Sequence, residues 1–253
     1  MISDLQKASV WKRMSSYLFD IIILAVVSIG AASALSAALG YDGYAEKMIQ
    51  YYEQYQEQYG VDFDISAEDF EKLTEEEKNI YYEADKAMNS DADVIKAYRM
   101  MFNLSILIVS LGLFIGFFIL EFIVPLFLGN GQTLGKKIFG VAVMRTSSVK
   151  ITTPVLFIRA VLGKYTIETM VPVFLVFMIF FGVLGFVGAL VIFAILLLNV
   201  ILVFVTRNSS AIHDLLSDTV VVDMATQRIF DSYDAMMEYK KKLHAEAVSK
   251  EDY

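Results

Sequence analysis

Three polar side chains stand inside stretches that are otherwise apolar: Asp20, Glu121 and Asn199. An ionisable residue in a membrane-spanning helix costs about 2.5–3.5 kcal/mol even on a lenient insertion scale, so it faces a bundle interior and has a partner or a task. A carboxylate that can hold either a proton or a cation is the minimum machinery of an exchanger. Burial raises its pKa and a nearby arginine lowers it, so the surroundings decide where it titrates. Asp20 and Glu121 are therefore candidates for an ion or proton site, with Asn199 at a comparable depth. Arg13 precedes Asp20 by seven residues, nearly two helical turns, on the same face and about 10 Å away along the axis. Ser16 and Tyr17 lie between them. Asp214, next to His213 and one turn before Asp218, is placed to reach the mouth where Arg13 enters. The simpler alternative is that Asp20 is only a structural partner for an arginine.

Other chemistries find little support. The chain has no cysteine, which excludes disulfides, thiolate catalysis and cysteine zinc sites. Its two histidines, His213 and His244, are far apart, and there is no His-x-x-x-His pair. No nucleophile–base pair is recognisable. Neither an enzyme, nor a metal site, nor a cofactor, nor a nucleic-acid partner is expected. "DFDISAEDFEKL", from Asp62, has Ala67 where a calcium loop needs glycine and Leu73 where it needs a bidentate glutamate. Its acids read as a solvated face or a weak cation-gathering surface.

The elements that must hold these groups are membrane helices. The chain is 57% hydrophobic with a mean hydropathy of +0.54. Its apolar residues collect in blocks at 14–39, 100–128 and 169–206, and a span needs about 20. The last block has no charge from Thr169 to Thr206; as one helix it would be about 57 Å long, so two spans are expected, bent at Gly182, Gly185 and Gly188. One tilted helix with a re-entrant segment is the alternative. The basic start and the run "AASALSAALG" imitate a signal peptide, but the long apolar stretch containing Asp20 favours an uncleaved helix.

Charge sets orientation. Between Gly40 and Tyr98 there are 16 acids and 5 lysines, and between Leu128 and Lys164 six bases and no acid. Basic loops stay in the cytoplasm. The expected fold is therefore an all-α membrane protein with four transmembrane helices and both termini cytoplasmic. Its segments are the N-terminus and first helix (1–39), an acidic, tyrosine-rich extracytoplasmic helical insert (40–98), the second helix (99–128), a basic cytoplasmic loop (129–168), a helical hairpin (169–206) and a cytoplasmic C-terminal segment (207–253).

In the insert, Tyr44, Met48, Tyr51, Tyr55 and Tyr59 recur at helical spacing, and Ser66 and Thr74 are placed as helix N-caps. In the loop, "GNGQTLGKK" is glycine-rich and basic, without the spacing of a P-loop. "VAVMRTSSVKITT" reads as a short hairpin. "VLFIRAVLGKY" reads as an amphipathic helix, with Lys137, Arg159 and Lys164 directed at lipid headgroups. The lysines at 240–242 can touch anionic lipid.

At these residues the sequence resembles the RDD family of membrane proteins, named for one arginine and two aspartates. "RMSSYLFD" supplies the arginine and the first aspartate as Arg13 and Asp20, and "IHDLLSDTVVV" supplies the second as Asp214. "GQTLGKKIFGVAVM" resembles the family's segment after the second helix, through Gly131, Gln132, Thr133, Gly135 and Lys136. The acidic insert is longer than the resemblance leads one to expect. The resemblance implies transport of an undefined ligand, sodium–proton exchange, or service as a membrane partner of a larger assembly.

Two functions follow as expectations. The first is transport in the cell membrane, that of a bacterium: a small ligand, or monovalent cations exchanged for protons at intramembrane carboxylates. Four helices rarely enclose a pathway alone, so this reading expects a homo-oligomer, with Ser28, Ala32, Ser36 and Gly40 as a possible seam. The second is a non-enzymatic adaptor or regulatory partner of another membrane protein, in which the charged cluster only staples helices together.

Overall fold

The computed structural model describes residues 6–180 and 182–251. Among these, four helices are long and apolar enough to cross a membrane. They are α1 (Val10–Leu39), α5 (Ala92–Leu128), α7 (Thr153–Phe180) and α8 (Gly185–Val205). The protein is thus a four-span helical membrane protein. Between the spans lie α2 (Tyr41–Tyr59), α3 (Ala67–Glu71), α4 (Glu75–Ser90) and α6 (Leu134–Ile138), and after the last span come α9 (Ile212–Leu216) and the terminal α10 (Tyr233–Glu251). Two strands, β1 (Val141–Arg145) and β2 (Thr219–Asp223), complete the order. The chain divides into two compact units, residues 29–112 and residues 1–28 with 113–253.

The unit of residues 29–112 contains the helical insert. The tyrosine stripe of α2 is its core: Met48 and Tyr55 are buried with Met88, Val94 and Ala97. Tyr55 also donates a hydrogen bond to Asp91 at 2.9 Å, which satisfies its hydroxyl inside that core. Both expected N-caps form. Ser66 accepts from the Asp69 N–H, and Thr74 makes a reciprocal capping box with Glu77. Gly40 takes a left-handed backbone (φ 68°) and breaks the helix between α1 and α2.

The second unit corrects three expectations. The first concerns the hairpin. The expected hairpin forms only as a tight turn, with the antiparallel bridge Met144↔Lys150 and the Arg145 N–H donating to the Val149 carbonyl at 2.9 Å, while β1 pairs along its whole length, antiparallel, with β2, in the register Val141↔Asp223 to Arg145↔Thr219. The physical reason is burial on both faces. Val141, Val143 and Val221 pack with Ala8 on one side, and Ala142, Met144, Val220 and Val222 pack with Ile229 on the other. The polar segment after Ser147 offers no such double apolar face, whereas "TVVV" does.

The second correction concerns the third span. It begins at Thr153, not near 169, so the supposed amphipathic helix is its first half. Thr153 and Pro154 open α7 as expected, with Pro in the first turn. From Ile158 to Met170 the helix winds with π-type, i→i+5 bonds. This winding stacks residues five apart, so Arg159 and Lys164 share one face, which a 3.6-residue period does not allow. Both are buried, at 2% and 6% exposure, so neither faces lipid headgroups. Lys137 alone of that trio is exposed.

The turn between α7 and α8 falls at the expected glycines. Gly182 and Gly185 have positive φ (71° and 49°), and Gly188 lies inside α8 against Ile179. The third correction is Ser28. It packs within this unit against Gly116 of α5, where any Cβ would collide with its hydroxyl.

Candidate functional site

Two charge clusters lie side by side in the second unit. The first is built where α1 meets the glycine-rich loop. Thr133 caps α6, its hydroxyl accepting from the Lys136 N–H, and donates to Asp20 Oδ2 at 2.5 Å. The Gly135 N–H donates to Asp20 Oδ1 at 2.8 Å. A Cβ at Gly135 would come within 2.9 Å of the same carboxylate. The glycines thus let backbone approach backbone. Gly131, at φ 59°, serves the same end against Val143, where a Cβ would stand 2.9 Å away. Gln132 seals the loop by donating to the Val141 carbonyl at 2.8 Å.

Lys136 joins Asp20 to Glu121. Its ammonium lies 3.8 Å from Asp20 Oδ2, 3.7 Å from Glu121 Oε2 and 3.1 Å from the Thr133 hydroxyl. Lys164 donates to the other Glu121 oxygen. Glu121 sits in a π-helical turn of α5, Phe118–Ile123, facing the π-helical stretch of α7. Glu121 and Lys164 are therefore both held by unusual local winding, which is frequent at functional sites. Burial pushes the Lys136 ammonium down to about 8, while Glu121 and Asp20 pull the other way.

The second cluster centres on Asp214, which is fully buried. Arg159 donates to Asp214 Oδ1 and, at 2.6 Å, to the Thr219 hydroxyl of β2. Arg13 stands 3.6 Å from Asp214 Oδ2 and donates to the Ser209 carbonyl at 2.6 Å. Burial by itself raises the Asp214 carboxyl, but Arg159 and His213 outweigh it and hold the group below the ordinary carboxylate range. His213 contacts Glu168 of α7: its Nδ1 is 2.9 Å from both carboxylate oxygens. Burial pushes the His213 imidazole below its ordinary value, against the pull of Asp214. Gly163 makes this contact possible, since a Cβ there would stand 2.6 Å from the His213 Cβ.

A cavity of about 70 Å³ opens beside the first cluster. Tyr17, Asp20, Glu121, Thr133, Lys164, Glu168 and Thr169 supply its polar wall. Ile21, Leu24, Phe117 and Leu120 supply its apolar wall.

The structure brings Asp20 and Glu121 together as expected, through Lys136. It does not bring Asp20 to Arg13 and Asp214: the family's arginine pairs with the second aspartate, and the first aspartate pairs with the loop. Asn199 is not in this layer. Its side chain accepts from the Ile212 N–H at 3.2 Å and caps α9, because the chain folds back there after α8. Lys164, Glu168, Arg159, Thr133 and His213 are the site residues that sequence reasoning missed or gave another role. Charge balance was the available signal: an acid-free run of six bases follows two apolar blocks that each enclose one acid, Asp20 and Glu121.

Among the described residues, no group of three or more His, Cys, Asp or Glu is arranged to hold a metal ion. The curated proteins and the solved structures contain no match to this chain. The sequence profile of the RDD family matches residues 7–218, which include both clusters, the glycine-rich loop and all four spans. The chain belongs to the RDD family.

Proposed function

We propose that the protein exchanges a small monovalent cation for protons across the cell membrane, using the cavity bounded by Asp20 and Glu121. The observation that carries this reading is the cavity itself: about 70 Å³, walled by three acids, a lysine, two threonines (Thr133 and Thr169) and a tyrosine among membrane-spanning helices. Sites for drug-sized ligands are typically several hundred Å³. An ion with one or two waters fits the space; a metabolite does not. Lys136 and Lys164 serve as internal counter-ions that hold the carboxylates in place. A cation reaching the cavity competes with them for the same oxygens. The charge asymmetry supports an orientation with the loop and both termini in the cytoplasm. The exposed apolar faces of α1 and α8 support lipid contact or self-association, such as a homo-oligomer.

The adaptor reading is favoured by a different observation. Asp20, Glu121 and Asp214 each face a lysine or arginine, as a helix staple requires. Cation-driven proton movement in proteoliposomes separates the two. Wild type is expected to respond to sodium or potassium, and folded Asp20→Asn and Glu121→Gln variants are expected to lose the response. Silence from a folded, correctly oriented wild type overturns the exchange reading in favour of the adaptor.

A further inference from the structure

Four acids of the two clusters, Asp20, Glu121, Glu168 and Asp214, face four bases, Arg13, Lys136, Arg159 and Lys164. The sum is zero while His213 is neutral and positive once it is protonated. His213 stands between two of the acids. Nδ1 is 2.9 Å from both Glu168 oxygens, and the His213 backbone N–H donates to Glu168 Oε1 at 2.9 Å. Nε2 lies 3.6 Å from Asp214 Oδ1.

A neutral imidazole has one N–H and one lone pair. With the proton on Nδ1, donated to Glu168, the Nε2 lone pair faces a carboxylate oxygen. Two acceptors then confront each other with no proton between them, a place prepared for one. Glu168 differs from the other three acids. Among the described residues its ion-pair partner within 4 Å is this histidine, not a lysine or arginine. It also lines the cavity that Asp20 and Glu121 share. His213 itself sits on α9, past the end of α8, with its side chain 13% exposed.

We infer that His213 and Glu168 form the path by which protons pass between the loop side of the protein and the cavity. This rests on the exchange reading for its purpose but not for its test. A proton binds Nε2, giving an imidazolium. The Nδ1 proton then moves to Glu168, leaving a neutral ring and a neutral acid. Glu168 releases that proton into the cavity; the ring then turns away from Glu168, loses its Nε2 proton to water on the loop side and takes one at Nδ1 from the same water, so that turning back restores the starting tautomer with one proton moved. The charged groups that bear on the ring are Glu168 and Arg159 from α7 and Asp214 from α9; behind them, Lys164 of α7 and Tyr17 of α1 bear on Glu168, and Arg13 of α1 bears on Asp214. Burial keeps the ring neutral at neutral pH, so the path engages as the loop side acidifies.

The test uses the full chain in lipid nanodiscs, with ¹⁵N-labelled histidine and His244→Gln so that one ring is observed. The expected spectrum shows the Nδ1–H tautomer at neutral pH and a titration below the ordinary histidine value of about 6.5, lowered further in Glu168→Gln. An Nε2–H tautomer, or a midpoint indifferent to Glu168→Gln, overturns the path. In proteoliposomes, His213→Asn keeps an N–H donor toward Glu168 but cannot relay. It is expected to slow exchange about a hundredfold at saturating cation, with the apparent cation affinity unchanged. A folded variant that exchanges at the wild-type rate overturns the path. If wild type moves no cation at all, the exchange reading falls, and the ring titration still decides whether this path exists.

Discussion

Arg159 and Asp214 form an ion pair with side-chain exposures of 3% and 0%. Taking two charges out of water costs several kcal/mol each, and only mutual attraction with further hydrogen bonds repays it. Here Thr219, Arg13 and the Ala211 N–H complete the set. Asp214→Asn leaves two arginines short of their counter-ion. It is expected to destabilise the protein by about 3–5 kcal/mol, read as a large fall in melting temperature in detergent. Replacing Asp214 and Arg159 together by leucine is expected to recover part of that loss.

Gly163→Ala tests the seat of α9 on α7. The new methyl would stand 2.6 Å from the His213 Cβ and 2.8 Å from its Cα, with no flexible side-chain end to yield. A loss of about 1–3 kcal/mol is expected. Gly30→Ala, with open space around its Cβ, is the matched control and is expected to be neutral.

Thr133→Val removes the hydroxyl that donates to Asp20 and accepts from Lys136. The carboxylate keeps the Gly135 N–H, so the fold is expected to survive with a loss of about 1–3 kcal/mol. Proton-coupled exchange is expected to weaken more than stability does, measured as the ratio of transport to melting temperature against wild type.

Acid sensitivity follows from His213. Its folded pKa lies below the unfolded value, so between the two the unfolded chain binds more protons. Stability therefore rises with pH through that window and falls as pH drops below about 6.5. Asp214, also lowered, adds a further loss only at much lower pH, near and below about 4. Melting curves between pH 7 and pH 5 are expected to show the first decline in wild type and a flatter profile in His213→Asn.

The β1–β2 pairing is open to cross-linking, because the chain has no native cysteine. Cysteines at Val143 and Val221, which are directly opposed, are expected to join under mild oxidation. Cysteines at Val143 and Ile151 are expected to join more slowly, since a hairpin there is not formed beyond one bridge.

Much of the architecture was legible in the sequence. Hydropathy gave the number of spans but began the third one too late, near 169 rather than at Thr153; the glycines marked the last turn, and the Ser66 and Thr74 caps followed from spacing. The partners of the charges were not legible. A 3.6-residue period directed Arg159 and Lys164 outward, and only the wider winding of α7 turns both inward. Asp20 looked toward Arg13 along its own helix, yet a loop more than a hundred residues away presents a closer hydroxyl and N–H. Local spacing cannot rank such distant contacts. The main partner of the first strand was obscure for the same reason: "VAVM" finds its equal in "TVVV" across two membrane spans.

The buried bases also act at two different times. During synthesis, Lys136, Arg159 and Lys164 are unpaired, and the segment that carries them presents its full charge to the membrane surface. After folding, all three face carboxylates contributed by other helices and the chain's end. On the proposed orientation, bases that favour the cytoplasmic side during insertion end as internal counter-ions. A substitution that spares the finished structure, such as a neutral pair in place of Lys164 and Glu121, can still misdirect the chain before that structure exists.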